Sequence, residues 1–95
     1  MSIVSVLRLS ARPGADLPRA FAELEIFEHS RRSGGFLGGR LLRPLDGDGF
    51  LVIAEWKDAA AYQGWLDNPI RSELGAQLDP LLTDDVTPGE VFEEV

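Results

Sequence analysis

The 95-residue chain has no cysteine, and only one histidine, one tyrosine and one methionine. Without thiols there is no disulfide framework, no thiolate metal site and no cysteine nucleophile. With His29 the only imidazole, a multi-histidine metal site cannot come from one chain, and no metal is expected. Positive charge is also scarce: nine Lys and Arg stand against sixteen Asp and Glu, a net charge of −7 with a pI near 4.5. Such a surface repels phosphate backbones, so neither nucleic acid nor an anionic membrane is an expected partner. Long apolar runs are missing as well. The start, MSIVSVLRLSAR, is interrupted by Arg8 and Arg12. It falls short of the roughly 18 apolar residues of a membrane span. Nor does it show the basic start and apolar core of a signal peptide. The expectation is a soluble, cytoplasmic protein with a single domain over residues 1–95. At 44% apolar and 26% charged residues the chain sits in the globular range.

What is present is a regular succession of periodic segments. Ile3 to Leu9 alternates with aliphatic residues on both sides, the pattern of a strand covered on both faces. Arg12-Pro13-Gly14-Ala15-Asp16 breaks it, with Asp16 placed to cap a helix and Pro18 in its first turn. Leu17, Ala20, Phe21, Leu24 and Phe27 predict an amphipathic helix from 17 to about 32, with Ala22, Ile26 and His29 as a second stripe. Gly34-Gly35 stop it. Phe36 to Leu42 and Phe50 to Trp56 read as strands around a turn-rich segment, 44–49, which predicts an antiparallel hairpin. Asp58 caps a helix from about Ala59 to Leu66; Asn68-Pro69 ends it, and Pro69 starts another through Leu78. Residues 87–95 alternate again as a last strand. The order β-α-β-β-α-β predicts an α+β, ferredoxin-like fold with a four-stranded antiparallel sheet and its helices on one face. Val4, Val6, Leu37, Leu41, Leu51 and Ile53 are expected on the other face. A patch of that size calls for cover, and two sheets packed face to face in a homodimer would supply it.

The segments GGFLGGRLLR and FLVIAEWKDAAAYQGWLDNPIRSEL resemble the antibiotic biosynthesis monooxygenase (ABM) family: a helix ending in a glycine-phenylalanine turn, a strand reading LGGRLLR, a strand ending in Ala-Glu-Trp, then an acid-capped helix with an aromatic-x-x-Trp pattern. The resemblance runs from the turn at Arg12 to the closing strand, and Gly34 stands where the family's usual proline would be. It implies a dimeric α+β barrel. It also implies a range of activities: cofactor-independent oxygenation of polyketide quinol-type substrates, haem degradation, or isomerase- and cyclase-like chemistry. The scaffold alone does not choose among these.

The haem-degrading branch pairs an asparagine on the first strand with a tryptophan on the second helix and a later histidine. Trp65 matches the tryptophan, but Leu7 stands at the asparagine position and Gly75 or Ala76 at that of the histidine, so no haem or other cofactor is expected. Oxygenation without a cofactor asks for a dry pocket, promotion of proton loss and donors for the resulting anion. The expected pocket lies between helices and sheet and is lined by Leu7, Phe21, Leu24, Phe36, Trp56, Tyr62 and Trp65. Tyr62 and Trp65 are candidate donors to substrate oxygens. Arg40, read on the same strand face as Phe36, is a candidate to hold an anionic oxygen, and His29 is the candidate base because imidazole is the one side-chain type suited to proton transfer near neutral pH. Each has a structural reading beside it: the tryptophans and Tyr62 as core, His29 as a partner of the helix C-terminus, Arg40 as an ion-pair partner of Glu55 or Glu90. Three functions follow: a cofactor-free monooxygenase for an aromatic or polyketide-like molecule, a cyclase or isomerase using the same pocket, or a non-catalytic dimeric domain binding a small hydrophobic ligand.

Overall fold

A computed structural model describes residues 2–47, 49–83 and 89–95. Four strands, β1 (Ile3–Leu9), β2 (Phe36–Leu42), β3 (Phe50–Trp56) and β4 (Glu90–Glu93), form one antiparallel sheet in the order β2-β3-β1-β4. Four helices, α1 (Leu17–Glu23), α2 (Ile26–Arg32), α3 (Ala59–Leu66) and α4 (Pro69–Leu78), supply the side chains that pack on one face of it. A 3-10 turn, Asp79–Leu81, follows α4. This is the ferredoxin-like α+β arrangement, with both helical limbs broken in two. The last strand is shorter than the 87–95 expected, and 87 and 88 lie outside the described residues.

Local chemistry explains the boundaries. Asp16 accepts a hydrogen bond from the Arg19 amide at 3.2 Å and Asp58 one from the Ala61 amide at 2.8 Å. Asn68, which the sequence offered only as a break, caps α4 by accepting from the Ile70 amide at 3.1 Å. Each side chain satisfies a donor that the first helical turn leaves without a partner.

Two expectations need correction. The helix over 17–32 is two helices, because Glu25 adopts a left-handed conformation with φ 52° and ψ 45°. A non-glycine residue there costs roughly 1–3 kcal/mol. The break restarts the chain with Ile26 and Phe27 packed against the same core as Phe21, the two phenyl rings 5.9 Å apart. The second correction concerns β2. Phe36 pairs with Trp56 but Gly38 pairs with Glu55, so Leu37 is one residue too many and forms a bulge. From there the faces are exchanged. Gly39 and Leu41 share the helix-covered face with Phe36, while Gly38, Arg40 and Leu42 take the open one, the reverse of simple alternation. Leu41 therefore belongs to the core and not to the open face. Arg40, opposite Ile53, lies on the other side of the sheet from Phe36.

Gly39 shows why the exchange holds. A Cβ at this position would lie 2.5 Å from the Phe27 ring and 3.0 Å from Phe36, so only glycine lets those rings, 6.1 Å apart, lie over the strand. The core has two ends. At one, Trp56 is 1% exposed and meets Phe36, Tyr62 and Trp65 at 5.1, 5.8 and 6.4 Å between ring centroids. At the other, Leu17, Phe21 and Leu78 pack with Leu9, Leu41, Phe50 and Val52.

Candidate functional site

Between the two ends the packing is incomplete. A cavity of about 1070 Å³ runs along β1 under α3 and α4, with walls from Ser5 to Ser10, from Tyr62, Trp65 and Leu66, and from Arg71, Leu74, Gly75 and Leu78. That volume is at the upper end of what small-molecule sites occupy. Helical spacing accounts for the α4 wall. Arg71, Gly75 and Leu78 recur every three or four residues and share a face. Gly75 gives that face a recess: a Cβ there would meet no atom within 4 Å.

The residues expected to line the pocket divide. Leu7, Phe21, Trp56, Tyr62 and Trp65 are on the cavity wall. Phe36 lies in the core on the far side of Trp56, and Leu24 packs between the two core ends; neither borders the cavity. His29 is also off the wall, on α2, with Nδ1 3.5 Å from an Arg32 guanidinium nitrogen. Arg40 is on the open side of the sheet, removed from the cavity by the bulge at Leu37. Its two suggested ionic partners are not engaged by it among the described residues, and Glu90 pairs instead with Arg8 at 3.7 Å. Among those residues no three of His, Cys, Asp and Glu group to hold a metal ion, and no helix is long and apolar enough to cross a membrane.

Several polar wall residues were not among the candidates drawn from the sequence. The Trp56 indole donates to Ser5 Oγ at 3.2 Å, and Ser5 Oγ donates in turn to the Ala54 carbonyl at 3.4 Å, so the buried N–H is satisfied inside the wall. Ser30, 3% exposed, donates to the Ile26 carbonyl at 2.9 Å. Those polar groups are committed to the protein. In contrast the Trp65 Nε1, the Tyr62 hydroxyl and the Arg71 guanidinium make no hydrogen bond among the described residues, and among the same residues the buried Thr83 hydroxyl has no partner. The alternation of β1 did imply a serine facing inward at Ser5; its partner became visible only through the register that sets Ser5 opposite Ala54.

Haem does not fit this wall. The lone imidazole is elsewhere, and Leu7 and Gly75 face the cavity beside Trp65, where the haem-degrading branch of the resemblance carries an amide and an imidazole. An alkyl group and a bare recess can neither ligate iron nor hydrogen-bond a ligand on it.

A four-stranded ferredoxin-like sheet with one incompletely filled, aromatic-walled face defines the class. The family model described as antibiotic biosynthesis monooxygenase, ABM, matches residues 2–74, and the chain belongs to that family. A curated relative, heme oxygenase (mycobilin-producing) of Mycobacterium tuberculosis, is 31% identical over 83 residues, covering 84% of this chain and 76% of the relative. Among solved structures, SnoaB, a cofactor-independent oxygenase from Streptomyces nogalater, superposes with a TM-score of 0.79 at 26% identity, over 99% of this chain and 93% of that one. A heme-degrading protein of Mycobacterium tuberculosis gives 0.66, also at 26% identity, over 100% and 95%.

Proposed function

We propose that the chain is a cofactor-independent oxygenase acting on an electron-rich aromatic, quinol- or polyketide-like molecule. The observation that carries this reading is the character of the cavity: apolar aromatic walls in which the nearby polar groups left over from folding are mainly donors. Trp65 Nε1 and the Arg71 guanidinium can only donate, and Tyr62 donates from its hydroxyl. Such a site favours a bound oxygen that carries developing negative charge. A substrate of the anthrone type loses a proton to give an electron-rich anion, which reduces O₂. Insertion of one oxygen atom at the carbon and release of the other as water gives the quinone, so substrate plus O₂ balances quinone plus water. With His29 off the cavity wall, deprotonation is promoted by stabilising the anion through Trp65 and Tyr62 and not by an imidazole base. SnoaB, similar over nearly the whole length, supports the cofactor-free version. The mismatch of Leu7 and Gly75 to haem weighs against the activity of the 31% identical relative.

The working unit we propose is a homodimer of single-domain chains, the open sheet face of one against that of the other. Val4, Val6, Leu51 and Ile53 lie on that face, and Leu42 and Phe92 on it are 37% and 51% exposed. A soluble, cytoplasmic setting fits the acidic, thiol-free composition.

Oxygen uptake with anthrone as substrate tests the activity. Uptake matched by quinone formation, silent under anaerobic conditions and lowered about tenfold or more in Trp65→Phe, is the expected result. Turnover that continues without O₂ identifies a cyclase or isomerase. Saturable binding with no turnover under either atmosphere identifies a binding module.

A further inference from the structure

One charge on the cavity wall has no partner among the described residues. Three cations and one acid of that set border the cavity: Arg8, Arg12, Arg71 and Asp79. Arg8 turns to the open side of the sheet, where it meets Glu90 at 3.7 Å. Asp79 closes the far end of α4, and Arg12 is near it, its amide bonded to the Leu81 carbonyl. Arg71 stands apart from both, eight residues and about 12 Å of helix from Asp79.

Its own helix does not neutralise Arg71. The residue lies in the first turn of α4, which holds no acid, and a cation there opposes the helix dipole. Asp67, four residues earlier, accepts from Gln63 Nε2 at 3.0 Å instead. Asn68 takes up the nearby amides, its side chain accepting from Ile70 at 3.1 Å and its carbonyl from Arg71 at 3.0 Å. The guanidinium itself makes no hydrogen bond or ion pair among the described residues. One turn on, position 75 shares its face. A helical side chain leans back over the preceding turn, so a larger residue at 75 would cover the wall beside Arg71. Gly75 leaves that wall bare, with no atom within 4 Å of where a Cβ would stand. An anion received in the recess offsets both the opposed dipole and the missing contact.

We propose that Arg71, with the recess at Gly75, sets the specificity of the cavity for a ligand that bears an ionised carboxylate. A planar carboxylate matches the guanidinium fork with two parallel hydrogen bonds. Arg71 is exposed and Trp65 is 8% exposed, so the acid group lies at the mouth and the apolar body inside. The carboxylate is a handle and not the reacting group, which faces Trp65 and Tyr62. A net charge of −7 works against any anion, so the preference has to come from this local contact. The inference rests on the aromatic-ligand part of the reading above, not on its oxygen chemistry.

Two probes of one shape, 2-naphthoate and the neutral 2-naphthamide, separate charge from fit. Binding is read by calorimetry at low salt, and no turnover is needed. The wild type should bind the acid about five- to tenfold tighter than the amide. Arg71→Gln should erase that preference by weakening the acid, with the amide changed less than twofold. Gly75→Leu should weaken the acid about fivefold or more although Arg71 is still in place. Salt at about 0.5 M should weaken the acid and spare the amide. Without ligand, Arg71→Gln should melt at or above the wild-type temperature, because it removes a charge that opposes the dipole and breaks no bond. Equal affinity of the wild type for the two probes, no binding of the acid, a preference that survives Arg71→Gln, or a lowered melting temperature overturns the proposal. A Gly75→Leu that binds the acid as the wild type does overturns the role of the recess. The expected binding pattern without oxygen uptake on anthrone sinks the oxygenase reading and leaves this one standing. Oxygen uptake by a protein that binds acid and amide equally does the reverse.

Discussion

The two faces of the sheet are made by interleaved residues of the same strands, and they behave as different materials. The face under the helices carries Ala54, Trp56, Phe36 and Leu41, with aromatic rings in successive contact from Phe21 to Trp65. The open face mixes Val4, Val6, Leu51 and Ile53 with Arg8, Arg40, Glu55 and Glu90, and its only ion pair among the described residues is the exposed Arg8–Glu90 contact. One face holds the fold and the cavity, and the other is suited to a surface. A single extra residue, Leu37, decides which side chains of β2 join which. Substitutions on the two sides should therefore differ in kind as well as size.

The largest effect belongs to the covered face. Trp56→Ala removes a side chain that is 1% exposed, touches three other rings and leaves the Ser5 hydroxyl without its donor. A loss of about 3–5 kcal/mol is expected in denaturant titration. A loss below about 1 kcal/mol would show that the ring is packed far more loosely than its burial indicates.

The next prediction uses neighbours on opposite faces. Gly39→Ala drives a methyl into the Phe27 ring and should cost about 1–3 kcal/mol. At Gly38 a Cβ would meet nothing within 4 Å, so Gly38→Ala should be within about 0.5 kcal/mol of wild type. Thermal melts of the pair measure the register directly. The opposite ranking would mean that the bulge is misplaced and that Arg40 does reach the covered face.

This pair also marks how far the sequence could be read. The strands of the hairpin, α3 from Ala59 to Leu66 and α4 from Pro69 to Leu78 were legible because caps, proline and period agree there. The bulge was not. Gly38-Gly39 permits a bulge but does not require one, and what selects it is the Phe27 ring, 12 residues earlier in the chain. The break at Glu25 was hidden for a similar reason: neither glycine nor proline announces it, and tertiary packing supports a conformation that local propensity disfavours. The cavity followed the same division. Its aromatic wall could be placed by helical and strand spacing. Thr83 could not, because a hydroxyl without a partner among the described residues is a relation among groups and not a property of one residue. His29 and Arg40 were chosen for their chemistry, and chemistry does not say which way a side chain faces.

The open face offers a smaller energetic effect with a large readout. Ile53→Asp, at the middle of that face, should cost about 1 kcal/mol in an isolated chain, where the position is half-buried. In a face-to-face dimer it would place two like charges in an apolar contact. Light scattering at micromolar concentration should give twice the chain mass for wild type and the single mass for Ile53→Asp. A monomeric wild type sinks the homodimer.

The smallest expected effect is the one that completes the comparison. Arg40→Ala and Trp65→Phe alter groups of similar nominal interest, a cation and an indole N–H, and the sheet separates them. Arg40 is opposite Ile53 on the open face, with no route to the cavity except through the sheet. Trp65 is 8% exposed and on the cavity wall. If turnover depends on donors inside the cavity, Arg40→Ala should leave kcat with anthrone within twofold of wild type under conditions in which Trp65→Phe lowers it about tenfold. A dimer adds one refinement, since Arg40 would then border the partner's sheet and its loss should shift the concentration dependence of activity without changing kcat at saturating protein. A fall in kcat itself on Arg40→Ala would place the working site across the sheet rather than beneath the helices.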